Sequence, residues 1–194
     1  MKPRDLVLLL SAVAILGLVT WRLNRENNQP DASRTTSEVR RLAPRFELYD
    51  QHSKLVKFER YLGRTRLVVL FIADAPPDEH PLFQALASKH SAIAAAGVQV
   101  IVVSTATPFA VREAEEQRGA EFPFPVLTDI DQKTPVPTPT HRQWGLAGDD
   151  PADLRDGLFL IERDGTVTWN GNTPRAESDP AKSIEAIQKG EWPT

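Results

Sequence analysis

The sequence predicts an α/β fold, in which a mixed β-sheet carries helices on both faces. Two almost entirely apolar runs, residues 67–72 and 98–103, are typical of central strands that are covered on both sides. A segment with helical spacing follows each run, and this alternation of strands and helices implies parallel central strands. Near the C-terminus, residues 158–162 and 166–169 enclose the turn sequence Arg163-Asp164-Gly165, which predicts an antiparallel hairpin.

The first half of the domain is predicted from local signals. Residues 46–48 and 55–58 alternate apolar and polar side chains, which indicates two short half-buried strands. Between them, residues 50–53 have the composition of a turn. A helix begins at Pro81, because proline is tolerated in a first turn, and it ends at Gly97.

The second half is predicted in the same way. Residues 107–119 form a helix that Thr107-Pro108 opens and Gly119 ends. Residues 125–127 are a short strand, and a final helix opens at Asp179-Pro180 and ends before Gly190. The prolines of residues 134–140 alternate with other residues, which favours an extended loop.

The N-terminal residues 1–22 are predicted to form a membrane anchor. The run from Leu6 to Trp21 carries no charge, and as a helix with ~1.5 Å rise per residue it spans roughly 24 Å. Trp21 and Arg22 can extend this span toward the ~30 Å hydrocarbon core by lying at the interface. No clear small-residue cleavage site follows the run. A cleaved secretory signal and a buried soluble helix are the alternatives.

A polar linker, residues 23–41, separates this segment from a folded domain at residues 42–194. Basic residues flank the apolar run on both sides, so the positive-inside rule leaves the orientation open. Of the two sides, we favour the extracytoplasmic (periplasmic) one for the folded domain.

Composition excludes several function classes. Hydrophobic residues make up 41% of the 194 residues, which argues against a fully disordered chain. The net charge of -3 provides no electrostatic attraction to nucleic acid. The chain contains no cysteine, so disulfides, thiolate catalysis and Cys-ligated metal centres are excluded. Because His52 and His141 show no metal-ligand spacing and no nucleotide-binding loop occurs, we expect neither a metal nor a cofactor.

From Ala43 onward the chain resembles a known family. The family opening Ala-Pro-x-Phe-x-Leu is matched by Ala43, Pro44, Phe46 and Leu48. This opening resembles that of redoxin domains, the peroxiredoxin or alkyl hydroperoxide reductase/thiol-specific antioxidant (AhpC/TSA) branch of the thioredoxin fold. Similarity extends over about residues 42–190, through the later segments 97–104, 125–129, 144–146 and 158–167. The resemblance implies a thioredoxin-like, peroxiredoxin-type sheet.

The resemblance also implies where a catalytic site would lie. Peroxiredoxins attack peroxide with a thiolate at a helix N-terminus, in the motif Pro-x-x-x-Thr/Ser-x-x-Cys. In this sequence the three motif positions are Ala73, Pro77 and His80, so all three are replaced. The proline or arginine that the family places before the hairpin strand falls on Asp156, next to Arg155. For Arg155, an exposed position is favoured over one that faces a ligand.

His80 and its neighbours allow other interpretations. An imidazole at His80 can move protons but forms no recyclable oxygen adduct as sulfur does. A metal site made of Asp78, Glu79 and His80 is disfavoured against a capped, solvated helix start, because adjacent residues point in different directions. The tryptophans Trp144, Trp169 and Trp192 are expected to pack on the core, with a binding face as the alternative.

These observations predict a membrane-tethered redoxin-like domain that has lost thiol chemistry and serves as an interaction or structural module. Its protein partner is not identified by the sequence. One alternative is an antioxidant oxidoreductase-type protein that works with a cysteine-containing partner or by a thiol-independent route. Another is a sensor of a small ligand. Pairing into a homo-oligomer is a property that related domains often show.

Overall fold

The structure is a computed structural model that describes residues 41–73, 76–130, 138–150, 153–170 and 179–192. A five-stranded mixed sheet forms its centre. The strands are β1 (Glu47–Tyr49), β2 (Leu55–Lys57), β3 (Arg66–Ile72), β4 (Val98–Ser104), β5 (Val126–Thr128), β6 (Gly157–Ile161) and β7 (Val167–Asn170). The helices are α1 (Pro81–Ala95), α2 (Pro108–Arg118), α3 (Pro139–Gln143) and α4 (Pro180–Gln188).

The strand order of the sheet is β5-β4-β3-β6-β7. β3 pairs with β4 and β4 with β5 in parallel, whereas β6 is antiparallel to both β3 and β7. β1 and β2 form a separate antiparallel hairpin, which an isolated bridge between Asp50 and Leu127 joins to the edge strand β5. The predicted mixed α/β sheet with parallel central strands is therefore confirmed.

Side chains on the two faces of β3 enter different cores. The even-numbered residues of β3, such as Leu70, pack with apolar residues of α1, α2 and α4. The odd-numbered residues, such as Phe71, pack on the opposite face with the β1–β2 hairpin and with Trp144 and Leu146, which follow α3. Burial on both faces explains why β3 and β4 are continuous apolar runs.

Side-chain caps fix where the longer helices begin. The hydroxyl of Thr107 accepts a hydrogen bond from Ala110 N–H at 3.2 Å, and Asp179 Oδ1 accepts one from Ala181 N–H at 3.0 Å. A proline occupies the first turn of each helix, as the sequence predicts. Gly119 ends α2 with a φ of 72°, a left-handed conformation that glycine adopts without strain.

The prediction of an extended loop over residues 134–140 is wrong at its end, because α3 begins at Pro139. Asp129 lies after β5 and accepts hydrogen bonds from the backbone N–H groups of Thr140 and His141. This carboxylate therefore accepts hydrogen bonds from backbone N–H groups that the first turn of α3 leaves free. The alternating prolines of the sequence do not indicate this contact. Residues 134–137 lie outside the described part of the chain.

The predicted anchor at residues 1–22 and residues 23–40 of the predicted linker also lie outside the described residues. Among the residues that are described, no helix combines the length and the apolar character that crossing a membrane requires.

Candidate functional site

The degenerate motif lies where β3 ends, α1 begins and β6 begins. Ala73 directly follows β3, and His80 is the last residue before α1. Asp156 directly precedes β6. Because β3 and β6 are antiparallel neighbours with Phe71 opposite Gly157, their pairing brings Asp156 beside Ala73. The sheet therefore gathers residues that are far apart in the sequence.

Hydrogen bonds join Ala73, His80 and Asp156 into one group, which we call the Asp156 cluster. Asp156 Oδ1 accepts the backbone N–H of Ala73 at 2.8 Å. Asp156 Oδ2 lies 3.2 Å from Nε2 of His80. The carbonyl of Ala73 also accepts the hydroxyl of Thr105, which follows β4. The backbone at the end of β3 is thus held from two sides.

Both ring nitrogens of His80 are engaged. Its Nδ1 accepts the backbone N–H of Leu82 at 3.2 Å, which makes His80 the N-cap of α1. Since an N–H group can only donate, Nδ1 carries no proton, and the proton of the neutral ring lies on Nε2 and points to Asp156. The imidazole therefore accepts a hydrogen bond from a free backbone N–H group at the N-terminus of α1, at the position where the family motif places a thiolate.

The remaining candidate residues lie outside this cluster. Pro77 is buried in a 3-10 turn, Pro77–Glu79, and has no hydroxyl group. Arg155 is exposed, and its guanidinium donates to the carbonyl of Gly145 at 3.2 Å. Its side chain is thus bound away from His80. The side chain of His80 is only 11% exposed, whereas that of Asp156 is 51% exposed, so His80 is a largely buried helix cap and not a solvated one.

Gly157 shapes the backbone next to Asp156. A Cβ atom at this position would lie 2.8 Å from a methyl carbon of Leu146, which is closer than packed carbon atoms come. The absence of a side chain therefore allows Leu146 to pack against the start of β6.

A second carboxylate–imidazole pair was not singled out by the sequence. Asp129 Oδ2 lies 2.7 Å from Nδ1 of His141, and both side chains are fully buried. Burial acts to raise the pKa of Asp129, but hydrogen bonds from the side chain and backbone of His141 and from Thr140 outweigh it and lower the pKa. The two partners are twelve positions apart and form no known motif, and so only the fold reveals the pair.

In the described part of the chain, no three His, Asp or Glu residues are grouped so that they could hold a metal ion. The tryptophans Trp144 and Trp192 pack on the two cores, as predicted. Trp192 also donates to the hydroxyl of Thr168 at 3.2 Å and lies under the guanidinium of Arg66. The side chain of Trp169 is outside the described part.

The model of the AhpC/TSA family matches residues 39–170. The chain belongs to the AhpC/TSA family. Peroxiredoxin 2 of Thermoplasma acidophilum is 25% identical over 141 residues, which cover 69% of this chain and 68% of that protein. The predicted family membership is confirmed, although this member contains no cysteine.

Two solved structures illustrate the likeness in fold. A protein of Chlorobium tepidum described as a thiol:disulfide interchange protein DsbE superposes with a TM-score of 0.53 at 24% identity, over 76% of this chain and 95% of that one. Prx1a of Plasmodium yoelii superposes with a TM-score of 0.55 at 14% identity, over 76% of this chain and 90% of that one. The thioredoxin-like fold is thus shared with both.

Proposed function

We propose that this AhpC/TSA member is a membrane-tethered redoxin domain without peroxidase activity, which acts as an interaction or structural module. The observation that carries the proposal is the Asp156 cluster. At the position of the family's nucleophile stands an imidazole whose two nitrogens are both used in structural hydrogen bonds. A fold alone does not determine function, whereas the chemistry of this site bears on it directly.

The replaced positions complement one another chemically. A proline at position 73, as in the family motif, has no N–H, whereas Ala73 donates its N–H to Asp156. An arginine at position 156 could only donate, whereas Asp156 accepts from both Ala73 and His80. Three replacements at the family's motif positions, Ala73, His80 and Asp156, thus together make one hydrogen-bonded group. We interpret this as a site that now serves to join β3, α1 and β6.

A peroxide-consumption assay tests the loss of activity. The full chain is mixed with hydrogen peroxide and a dithiol reductant, and peroxide loss is compared with that of the heat-denatured chain. We expect equal rates, because in peroxiredoxins a cysteine thiolate accepts the peroxide oxygen and the chain has no cysteine. Peroxide turnover at a rate proportional to the concentration of the folded chain would refute the proposal.

Membrane tethering is tested separately. We expect the full chain to remain in the membrane fraction after alkaline carbonate washing and a chain of residues 23–194 to be released. The uncharged run at residues 6–21 supports this part of the proposal. Protease protection in sealed vesicles then reports whether the folded domain is extracytoplasmic. Release of the full chain by carbonate would contradict the tether.

Exposed apolar side chains provide positions at which to test the interaction role. Phe109 in α2 is 68% exposed, and Tyr49 in β1 is 57% exposed. A photoreactive amino acid at Phe109 is expected to form a discrete cross-linked product in membranes, with a protein partner or a second copy of the chain. Placement at the exposed Glu116 of the same helix is the matched control. Identical diffuse labelling from both positions would argue against a specific interface.

Ligand sensing is the second candidate function, and a surface groove supports it. The groove lies between α1 and α2, has a volume of about 450 Å³ and is lined by Phe83, Ala87, Ala114 and Arg118, among others. This size is within the range of small-molecule sites. A ligand that raises the melting temperature of the chain but not of the Arg118→Gln variant would support sensing, since binding stabilises the folded state.

The third candidate, an oxidoreductase role beside a cysteine-containing partner, predicts peroxide turnover only after the partner is added. Loss of that turnover in the folded double variant His80→Ala, Arg155→Ala would support this role.

A further inference from the structure

Positive charge is concentrated at the end of the sheet where β3 begins and β6 ends. Three segments meet there, residues 41–45, 59–66 and 162–166, and together they contain six arginines and three carboxylates, a net charge of +3. The whole chain, in contrast, has a net charge of -3. We call these six residues the arginine patch: Arg41, Arg45, Arg60, Arg64, Arg66 and Arg163.

Backbone hydrogen bonds bring the three segments of the arginine patch together. The N–H of Gly63 donates to the carbonyl of Arg163 at 2.7 Å, and the N–H of Ala43 donates to the carbonyl of Gly165 at 2.9 Å. The turn between β6 and β7 therefore lies between the other two segments. Because Arg64 directly follows Gly63, its side chain starts beside that of Arg163.

The carboxylates of these segments only partly compensate the positive charge. Glu162 pairs with Arg66 at 3.1 Å, and Glu59 lies 3.9 Å from Arg45. The third carboxylate, Asp164, accepts the backbone N–H of Thr166 at 2.9 Å. The remaining four arginines are all exposed: Arg41, Arg60, Arg64 and Arg163. The surface of the patch is therefore positively charged.

An exposed apolar side chain lies within the same patch. Leu42 is 67% exposed, directly follows Arg41 and forms an isolated bridge with Thr166. Guanidinium groups bind phosphate oxygens with two parallel N–H donors. A leucine among such groups suits the boundary between phosphate headgroups and acyl chains, whereas a nucleic acid backbone has no apolar region to receive it.

We propose that the arginine patch docks on the anionic lipid headgroups of the membrane that holds the chain. This inference rests on the proposed tether at residues 6–21. In the sequence, the polar linker of residues 23–40 leads from that segment directly to Arg41. Because a tether raises the effective concentration of whatever lies beside it, a bilayer surface is the anionic partner that the patch meets most often. Charge and chain connection thus favour the same occupant.

Nuclear magnetic resonance tests the proposal on the full chain in lipid nanodiscs that carry a paramagnetic headgroup. With phosphatidylglycerol present, we expect the amide signals of Leu42, Arg64 and Arg163 to broaden more than in phosphatidylcholine alone. The amide of Ser88, exposed in α1, is the reference. The broadening should fade at about 1 M salt, where the Debye length is ~3 Å. Equal broadening in the two lipids would overturn the proposal.

The double variant Arg64→Gln, Arg163→Gln provides a second measurement. Since each arginine near an anionic surface contributes about a fivefold factor, the ratio of docked to undocked domain should fall about 25-fold. Lys182→Gln, Lys189→Gln removes the same charge from exposed positions of α4 and should leave the broadening unchanged. Equal effects of the two double variants would show that total charge, and not the patch, attracts the lipid.

Carbonate washing distinguishes a failure of docking from a failure of the tether. A chain that stays in washed membranes, but whose patch signals do not respond to phosphatidylglycerol, would overturn docking and leave the tether standing. A protein partner would then be the remaining occupant of the patch. If carbonate releases the full chain, sedimentation with phosphatidylglycerol vesicles decides the question, and failure to sediment with them would overturn docking as well.

Discussion

Asp156 is the residue on which the cluster at the end of β3 depends, because its two carboxylate oxygens accept different hydrogen bonds. Oδ1 accepts from the backbone of Ala73, which is buried, and Oδ2 accepts from His80. The bond to Ala73 has the larger energetic consequence, since an unpaired buried N–H is costly. The bond to His80 contributes less, because the carboxylate of Asp156 is half exposed and solvent screens the interaction.

Replacing Asp156 separates these two contributions. Asp156→Ala leaves the N–H of Ala73 unpaired, and we expect the free energy of unfolding to fall by about 1–3 kcal/mol. Asp156→Asn keeps an oxygen that can accept from Ala73, so its loss should be clearly smaller. Urea unfolding followed by tryptophan fluorescence measures both. Equal losses in the two variants would show that the bond to Ala73 is not the important one.

The sequence predicts these positions but not the bonds between them. The spacing of the family motif selects Ala73, Pro77, His80 and Asp156 without any structure. Their contacts join residues more than 70 positions apart and depend on the antiparallel pairing of β3 with β6, which local patterns do not fix. For the same reason His141 shows no signal in the sequence, because its partner Asp129 is recognisable only after folding.

At the scale of single elements, capping residues determine where helices begin. The sequence predicts α2 and α4 well, since Thr107 and Asp179 directly precede a proline and an apolar pattern. It does not predict α3, because the group that caps this helix, Asp129, lies ten residues before Pro139 and follows a strand. A local sequence pattern identifies a capping residue that directly precedes its helix, but not one that lies many residues earlier in the chain.

The cap of α2 provides a simple prediction. Thr107→Ala removes the oxygen that accepts from Ala110 N–H, so the free energy of unfolding should fall by about 0.5–2 kcal/mol. Thr107→Ser keeps the hydroxyl and should retain most of the stability. Thermal unfolding followed by circular dichroism checks both variants. A serine variant as unstable as the alanine variant would mean that the hydroxyl is not the stabilising group.

Because the carboxylate of Asp129 caps α3, we expect the free energy of unfolding to depend on pH. Because the folded pKa of Asp129 is lower than the unfolded value of about 3.9, its contribution is fully present well above pH 4 and is lost as the pH falls through the folded pKa. Asp129→Asn should be less stable at pH 7 and should show a weaker decline of stability between about pH 5 and pH 2.

Urea unfolding at several pH values measures this effect. Glu121→Gln, which removes an exposed carboxylate, is the control and should keep the pH dependence of the unaltered chain. An unchanged pH dependence in Asp129→Asn would contradict the role given to this carboxylate.

At the scale of the whole molecule, the AhpC/TSA scaffold persists although its reactive group is gone. The helix N-terminus that would stabilise a thiolate is still formed, by a helix of 15 residues that follows the central strand β3 in the chain. The electrostatic surroundings have changed, because a carboxylate lies beside position 80. The fold therefore keeps the helix N-terminus that stabilises a thiolate, but places the negative charge of Asp156 next to the position where the thiolate would form.

Introducing one cysteine tests this view, since the chain otherwise has none. In His80→Cys the helix N-terminus lowers the thiol pKa, whereas Asp156 raises it. We expect the double variant His80→Cys, Asp156→Asn to have a lower thiol pKa than His80→Cys. Alkylation rates measured against pH give these values, with Ser88→Cys at an exposed position of α1 as the control. Equal thiol pKa values in all three variants would contradict the inferred geometry.

The most direct measurement of the central claim is the protonation of His80 in the full chain. Nitrogen chemical shifts of the imidazole, recorded at pH 8 because imidazoles generally titrate near pH 6.5, distinguish the two ring nitrogens. The structural role predicts an unprotonated Nδ1 that accepts from Leu82 and a protonated Nε2 that donates to Asp156. A proton on Nδ1, or rapid averaging of both nitrogens, would show that His80 is not held in the cluster.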